Sequence, residues 1–162
     1  MPRGTTFPTL TGVIALVGTA ALASTSAADA AGQTRVPGQP EQVVSSMKIT
    51  IDVEGRTITA TLDDSPAARD FASLLPLTLT LDDYNSTEKI GYLPRRLSIE
   101  GAPAGIDPSP GDLTYYAPWG NLAIFYKDFG YSRGLVKLGA LISGGEALDV
   151  PGSVQVTIRP AT

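Results

Sequence analysis

The chain has 162 residues with 12 basic and 16 acidic side chains, a net charge of −4, and neither cysteine nor histidine. Those absences exclude disulfides, thiolate nucleophiles, Cys/His zinc sites and every Ser-His or Cys-His catalytic pair. The acidic balance argues against nucleic acid as a partner, because phosphate binding needs a basic face.

Residues 1–30 carry the pattern of an export signal. Arg3 is the one charge before Val13–Ala23, an apolar run of eleven residues, and the small-residue stretch Ser24–Ala31 follows. Positive start, short apolar centre and small-residue end are the three parts of a cleavable signal peptide, with Ala27, Ala28 and Ala30 as candidate cleavage sites. At about 1.5 Å per residue the apolar run spans roughly half of a ~30 Å hydrocarbon core, so no stable membrane anchor is expected. The expected location is the periplasm or the extracellular space. Residues 31–46 are polar with two prolines and read as a disordered tether.

Residues 47–160 read as one domain. Ile49, Ile51 and Val53 alternate with Lys48, Thr50 and Asp52, and the alternation resumes with Ile58, Ala60 and Leu62 after Glu54-Gly55. Period two on both sides of a Gly-containing turn predicts a β-hairpin. Ser65 suits a helix N-cap and Pro66 the first helical position; Ala67, Phe71, Leu74 and Leu75 share a face, and Pro76 ends the helix. Leu77–Leu81 is a third strand, followed by an acidic loop with Asp82, Asp83 and Glu88, and Ile90–Leu93 continues the sheet. Residues 101–112 are rich in Gly and Pro and predict a long irregular loop. Strands are expected at Leu113–Tyr116 and Leu122–Tyr126 around the turn 118–121, then at Leu135–Ile142 and over Val154, Val156 and Ile158; residues 144–149 make a turn or one short helical turn. Seven or eight short strands with one helix predict a mostly β domain, a closed barrel or a sandwich.

Several phrases carry a family likeness: Glu88-Lys89-Ile90-Gly91-Tyr92-Leu93-Pro94, Gly111-Asp112-Leu113, the run Tyr115–Ala123, and Gly130-Tyr131-Ser132-Arg133-Gly134 leading into Leu135–Gly139. With the order of elements, they resemble the bacterial cyclophilin-like fold proteins. The resemblance implies a small closed β-barrel with one short α-helix. It also implies a function to consider, since cyclophilins are peptidyl-prolyl isomerases built on an apolar proline pocket beside an arginine. A guanidinium that hydrogen-bonds the prolyl nitrogen favours the twisted transition state over the planar amide, whose rotation barrier is ~18–20 kcal/mol, and no cofactor is required. The Phe-His-Arg signature of that activity is absent here, as a chain without histidine requires.

By this resemblance Arg95 and Arg96 are the candidate catalytic residues, and Tyr92, Tyr116, Trp119 and Phe125 the candidate ligand-binding residues. The alternatives are a solvated or ion-paired role for the arginines, with Asp82, Asp83 or Glu100 as partners, and core packing for the aromatics. The carboxylates Asp82-Asp83 and Asp107…Asp112 follow no EF-hand spacing and favour turns, so no metal is expected. The leading expectation is an exported module that binds a peptide or small molecule; the alternative is an isomerase acting on exported proteins. Docking to a redox partner protein is compatible with the family context.

Overall fold

The computed structural model describes residues 46–162. The signal and tether expectations fall on residues 1–45, outside the described residues. Ten strands form: β1 Met47–Val53, β2 Arg56–Leu62, β3 Leu77–Tyr84, β4 Glu88–Tyr92, β5 Gly105–Ile106, β6 Asp112–Tyr116, β7 Asn121–Phe125, β8 Ser132–Arg133, β9 Leu135–Ser143 and β10 Val154–Pro160. Eight of them close an antiparallel barrel in the order β1-β10-β3-β4-β7-β6-β9-β2, and β5 pairs with β8 as a separate two-stranded flap. Closure leaves the barrel no free strand edge.

Inward residues follow the period-two reading. Ile49, Ile51, Ile58, Leu62, Leu81, Leu113, Leu122, Ile124, Leu138, Val156 and Ile158 are all buried in one cluster. Glu54 and Gly55 both take positive φ in the β1–β2 turn, the backbone that matches the twist of a two-residue hairpin. The two ends of the barrel are closed differently. The helix α1, Pro66–Ala72, connects the end of β2 to the start of β3 and buries Ala67, Ala68 and Phe71 in the core. A 3-10 turn at Gly145–Leu148 connects β9 to β10 at the opposite end and buries Ala147 and Leu148.

Three local expectations change. The helix stops at Ala72 rather than running to Pro76: Ser73 is its C-cap, and the Leu74 and Leu75 amides donate to the Phe71 and Ala72 carbonyls, at 3.0 and 3.2 Å, in a tighter i→i−3 turn. The expected acidic loop is strand: Asp82 and Asp83 lie opposite Ile90 and Lys89, and Tyr84 lies opposite Glu88. The real turn is shorter, with positive φ at Asn85 and Ser86. The long loop over 101–112 contains β5, held by β8. At that pairing a Cβ on Gly105 would collide with the Ser132 carbonyl and lie 2.7 Å from the Arg133 Cα, so only glycine allows so close an approach.

Candidate functional site

Strand β7 is buried along its whole length. Leu122 and Ile124 point into the barrel, while Asn121, Ala123 and Phe125 point outward, where a surface strand would meet water. A sheet covered on both faces is apolar on both faces, and here the second cover is the flap. Ala123, Phe125 and Leu135 form their own small cluster with Ile90, Ile106 and Tyr116. The flap is tied down by the Gly134 amide, which donates to the Ala104 carbonyl at 2.8 Å, and by the Ala117 amide, which donates to the Gly134 carbonyl at 2.9 Å.

The cover is incomplete. Between the flap, β4 and the β6–β7 turn lies a hollow of about 200 Å3 whose lining includes Tyr84, Glu88, Tyr116, Trp119, Asn121 and Phe129. The outward β7 residue midway along it is Ala123, and a side chain of one carbon leaves the space open. Trp119 meets Tyr84 edge-on at 5.6 Å between ring centroids and Tyr116 at 5.4 Å, while Phe125 and Phe129 lie 5.8 Å apart. The indole is 47% exposed, although it is large enough to be buried in a core.

Two buried polar atoms have no hydrogen-bond partner among the described residues, Glu88 Oε2 and Asn121 Oδ1, and both residues line this hollow. Glu88 is 8% and Asn121 1% exposed. The amide of Asn121 is oriented by its own neighbour: Nδ2 donates to the Leu122 carbonyl at 3.1 Å, which only the NH2 end can do, leaving Oδ1 for something else. Burial, followed by the negative charge of Asp83, pushes the Glu88 carboxyl up to about 7.

The sequence profile of the cyclophilin-like family matches residues 51–159. The chain belongs to the cyclophilin-like family. The fold is also similar to the solution structure of the hypothetical protein AF2241 from Archaeoglobus fulgidus, with a TM-score of 0.58 and 18% identity over 75% of this chain and 100% of that one. No curated protein matches this chain.

Within this cyclophilin-like barrel the residues singled out from the sequence separate into two groups. Tyr116, Trp119 and Phe125 line the hollow together. Tyr92, 63% exposed, does not, and neither do Arg95 and Arg96. Arg95 makes a two-pronged contact with Asp70, at 2.7 and 3.0 Å, and reaches Ser73 Oγ at 2.8 Å. That fork holds Asp70 well below the usual carboxylate range and clamps α1 to the segment after β4. Arg96 donates to the carbonyls of Ala117 and Pro118, at 2.6 and 3.3 Å, and so grips the turn that carries Trp119. Neither arginine pairs with Asp82, Asp83 or Glu100 among the described residues.

Tyr84, Glu88, Asn121 and Phe129 belong to the site without having been singled out for it. The signal for Asn121 was present: Asn121, Ala123 and Phe125 alternate with two aliphatic residues, the pattern of a strand covered twice. Among the described residues no group of three or more acidic side chains could hold a metal ion. Asp112 is engaged by Lys137 Nζ at 2.7 Å and the Ser109 amide at 3.0 Å.

Proposed function

We propose that this cyclophilin-like domain is a binding module whose ligand, a small molecule or one side chain of a peptide, occupies the outer-face hollow. The observation that carries the reading is the pair of unpartnered buried acceptors, Glu88 Oε2 and Asn121 Oδ1, on two residues that line an aromatic-walled hollow. Buried polar groups in folded proteins are nearly always paired, and an unpaired one costs about 1–3 kcal/mol. An apolar wall with a few convergent polar groups is what small-ligand sites offer.

Binding is favoured over isomerisation. An arginine beside a proline pocket is what the isomerase mechanism uses, and both candidate arginines are committed to Asp70 and to the Ala117–Pro118 carbonyls. The three-part N-terminal pattern supports export of the module. Ala123→Leu fills the hollow with a side chain that suits a doubly covered strand. A panel of charged and neutral four-carbon fragments, followed by fluorescence of Trp119, the sole tryptophan, should respond in the parent and not in Ala123→Leu. A response of equal strength in both proteins would reject the site.

A further inference from the structure

The chemistry of the ligand can be narrowed, on the binding reading just given. We propose that the hollow takes a cationic nitrogen group bearing N–H donors, an alkylammonium or a guanidinium, with Glu88 and Asn121 as its hydrogen-bond acceptors and the surrounding rings as its walls.

Each competing class of ligand leaves something unsatisfied. An anion would meet the Glu88 carboxylate, and among the described residues no lysine or arginine lines the space to offset it. A neutral apolar group would leave Glu88 Oε2 and Asn121 Oδ1 buried and unpaired, as they are in the empty site. A quaternary ammonium would gain from the rings but has no hydrogen to donate to either acceptor. A cation with N–H groups has hydrogens to donate to these acceptors, is matched to the Glu88 carboxylate in charge, and lies among the rings of Tyr84, Tyr116 and Trp119, where cation–π attraction adds to binding.

Size and position agree. The hollow of about 200 Å3 is smaller than the 300–1,000 Å3 typical of drug-sized pockets, which suits a head group rather than a whole cofactor. Glu88 lies opposite Phe125 and Asn121 opposite Tyr92 on the β4–β7 ladder. At about 3.3 Å per residue their backbones are about 13 Å apart, so the two acceptor residues stand toward opposite ends of the hollow with the rings between them.

The surroundings of Glu88 make the charge matter. Tyr84 and Asp83 approach it from β3, and Phe125 and Tyr126 from the end of β7. Among the described residues no cation faces it: Lys89 turns to the barrel interior, and Lys127 holds its ammonium 5.7 Å from the Tyr126 ring centroid. Glu88 therefore takes up a proton near neutrality unless a cation arrives. Binding should release that proton, and affinity should rise with pH through the region of about 7.

The test titrates the domain with n-butylammonium, n-butyltrimethylammonium, n-butanol and butyrate, reading Trp119 fluorescence, at pH 6 and pH 8, in the parent and in Glu88→Gln. The proposal expects butylammonium to bind at least about tenfold tighter than butanol and the quaternary analogue, more tightly at the higher pH, and to lose that advantage in Glu88→Gln. Should Glu88→Gln fail to fold, the ligand series and pH series in the parent decide alone. A further arm uses N-acetyl-lysine-N-methylamide. Tighter binding of this probe assigns the cation to a peptide side chain, and weaker binding assigns it to a free amine. If butanol binds as well as butylammonium, the cationic assignment is wrong while the binding site stands. If no probe moves Trp119, both fail.

Discussion

Trp119 and Tyr84 meet edge-on at 5.6 Å, although they belong to turns at opposite ends of the barrel. Tyr84 closes β3 and Trp119 sits between β6 and β7. The two rings reach toward each other along the outer wall, and the space they cross is the hollow with the unpartnered Glu88 and Asn121. Two β-turns, a flap and one alanine shape this hollow on the outer face of the barrel.

The turn carrying Trp119 is held by Arg96. Arg96→Ala removes the donors to the Ala117 and Pro118 carbonyls, which remain near water, so the loss of stability should be modest, about 1 kcal/mol. The local effect should be larger: faster quenching of the indole by added acrylamide and a weaker response to fragments. Arg96→Lys should restore this only in part, since an ammonium lacks the planar fork. Unchanged quenching in Arg96→Ala would mean that the turn holds itself.

Glu88 predicts an unusual pH dependence. Burial raises its folded pKa to about 7, above the ordinary glutamate value of 4.5. Between those two values the folded state binds more protons than the unfolded state, so this group's contribution makes stability fall as pH rises, by up to about 3 kcal/mol in all. Urea denaturation at intervals from pH 5 to pH 8 should show the decline in the parent, and Glu88→Gln should remove it. A parent curve that is flat or rising after comparison with the variant contradicts the burial argument.

Asp70 works in the opposite direction. Its pKa is lowered from 3.8, chiefly by the hydrogen bonds from Arg95 and then from the Ser98 amide. A depressed carboxylate stabilises the fold above its unfolded pKa, and that contribution is lost as pH falls through the lower folded value. Asp70→Asn should therefore be less stable than the parent at neutral pH, and the gap should close below about pH 4. A gap that does not narrow at all as pH falls below the ordinary aspartate range would assign the loss to geometry rather than charge.

Lys89 is fully buried, with Nζ bonded to the carbonyls of Val150 and Gly152 and 3.3 Å from Asp83 Oδ1. It fastens the 150–152 segment across the end of the barrel. Lys89→Met keeps the length and removes the donors, and should cost about 3 kcal/mol through the acceptors left behind, read as a lower urea midpoint. A midpoint within error of the parent would show that water replaces the ammonium there.

These residues also show what the sequence could and could not reveal. The β1–β2 hairpin was legible because Ile49, Ile51 and Val53 face the core and Lys48, Thr50 and Asp52 do not. β4 inverts that rule. Its inward residues are Lys89 and Gly91, and Ile90 faces outward, so alternation places no apolar row inside. A Cβ on Gly91 would lie 2.6 Å from Leu81 Cδ2 and 3.1 Å from the Thr80 carbonyl oxygen, a long-range constraint invisible to local patterning. Asp82 and Asp83 looked like loop residues by type, yet the ladder to β4 and the bond from the Tyr126 hydroxyl, 2.6 Å, make them strand. Trp119 and Phe125 were legible as candidates through their type and the family resemblance. Arg95 and Arg96 were placed by the order of elements alone, and order along the chain does not fix where a long side chain points.

The outer-face hollow, rather than any other concavity, is the proposed binding site. A second hollow, about 420 Å3, lies near the 3-10 turn and is lined in part by Leu141, Gly145 and Asp149. Nitrogen-15 NMR of the domain with n-butylammonium separates the two. With the amine in the outer-face hollow, the Trp119 indole N–H, the Asn121 side-chain amide and the Ala123 backbone amide should shift together and saturate together. Shifts confined to Leu141–Asp149, or none at saturating amine, would contradict it.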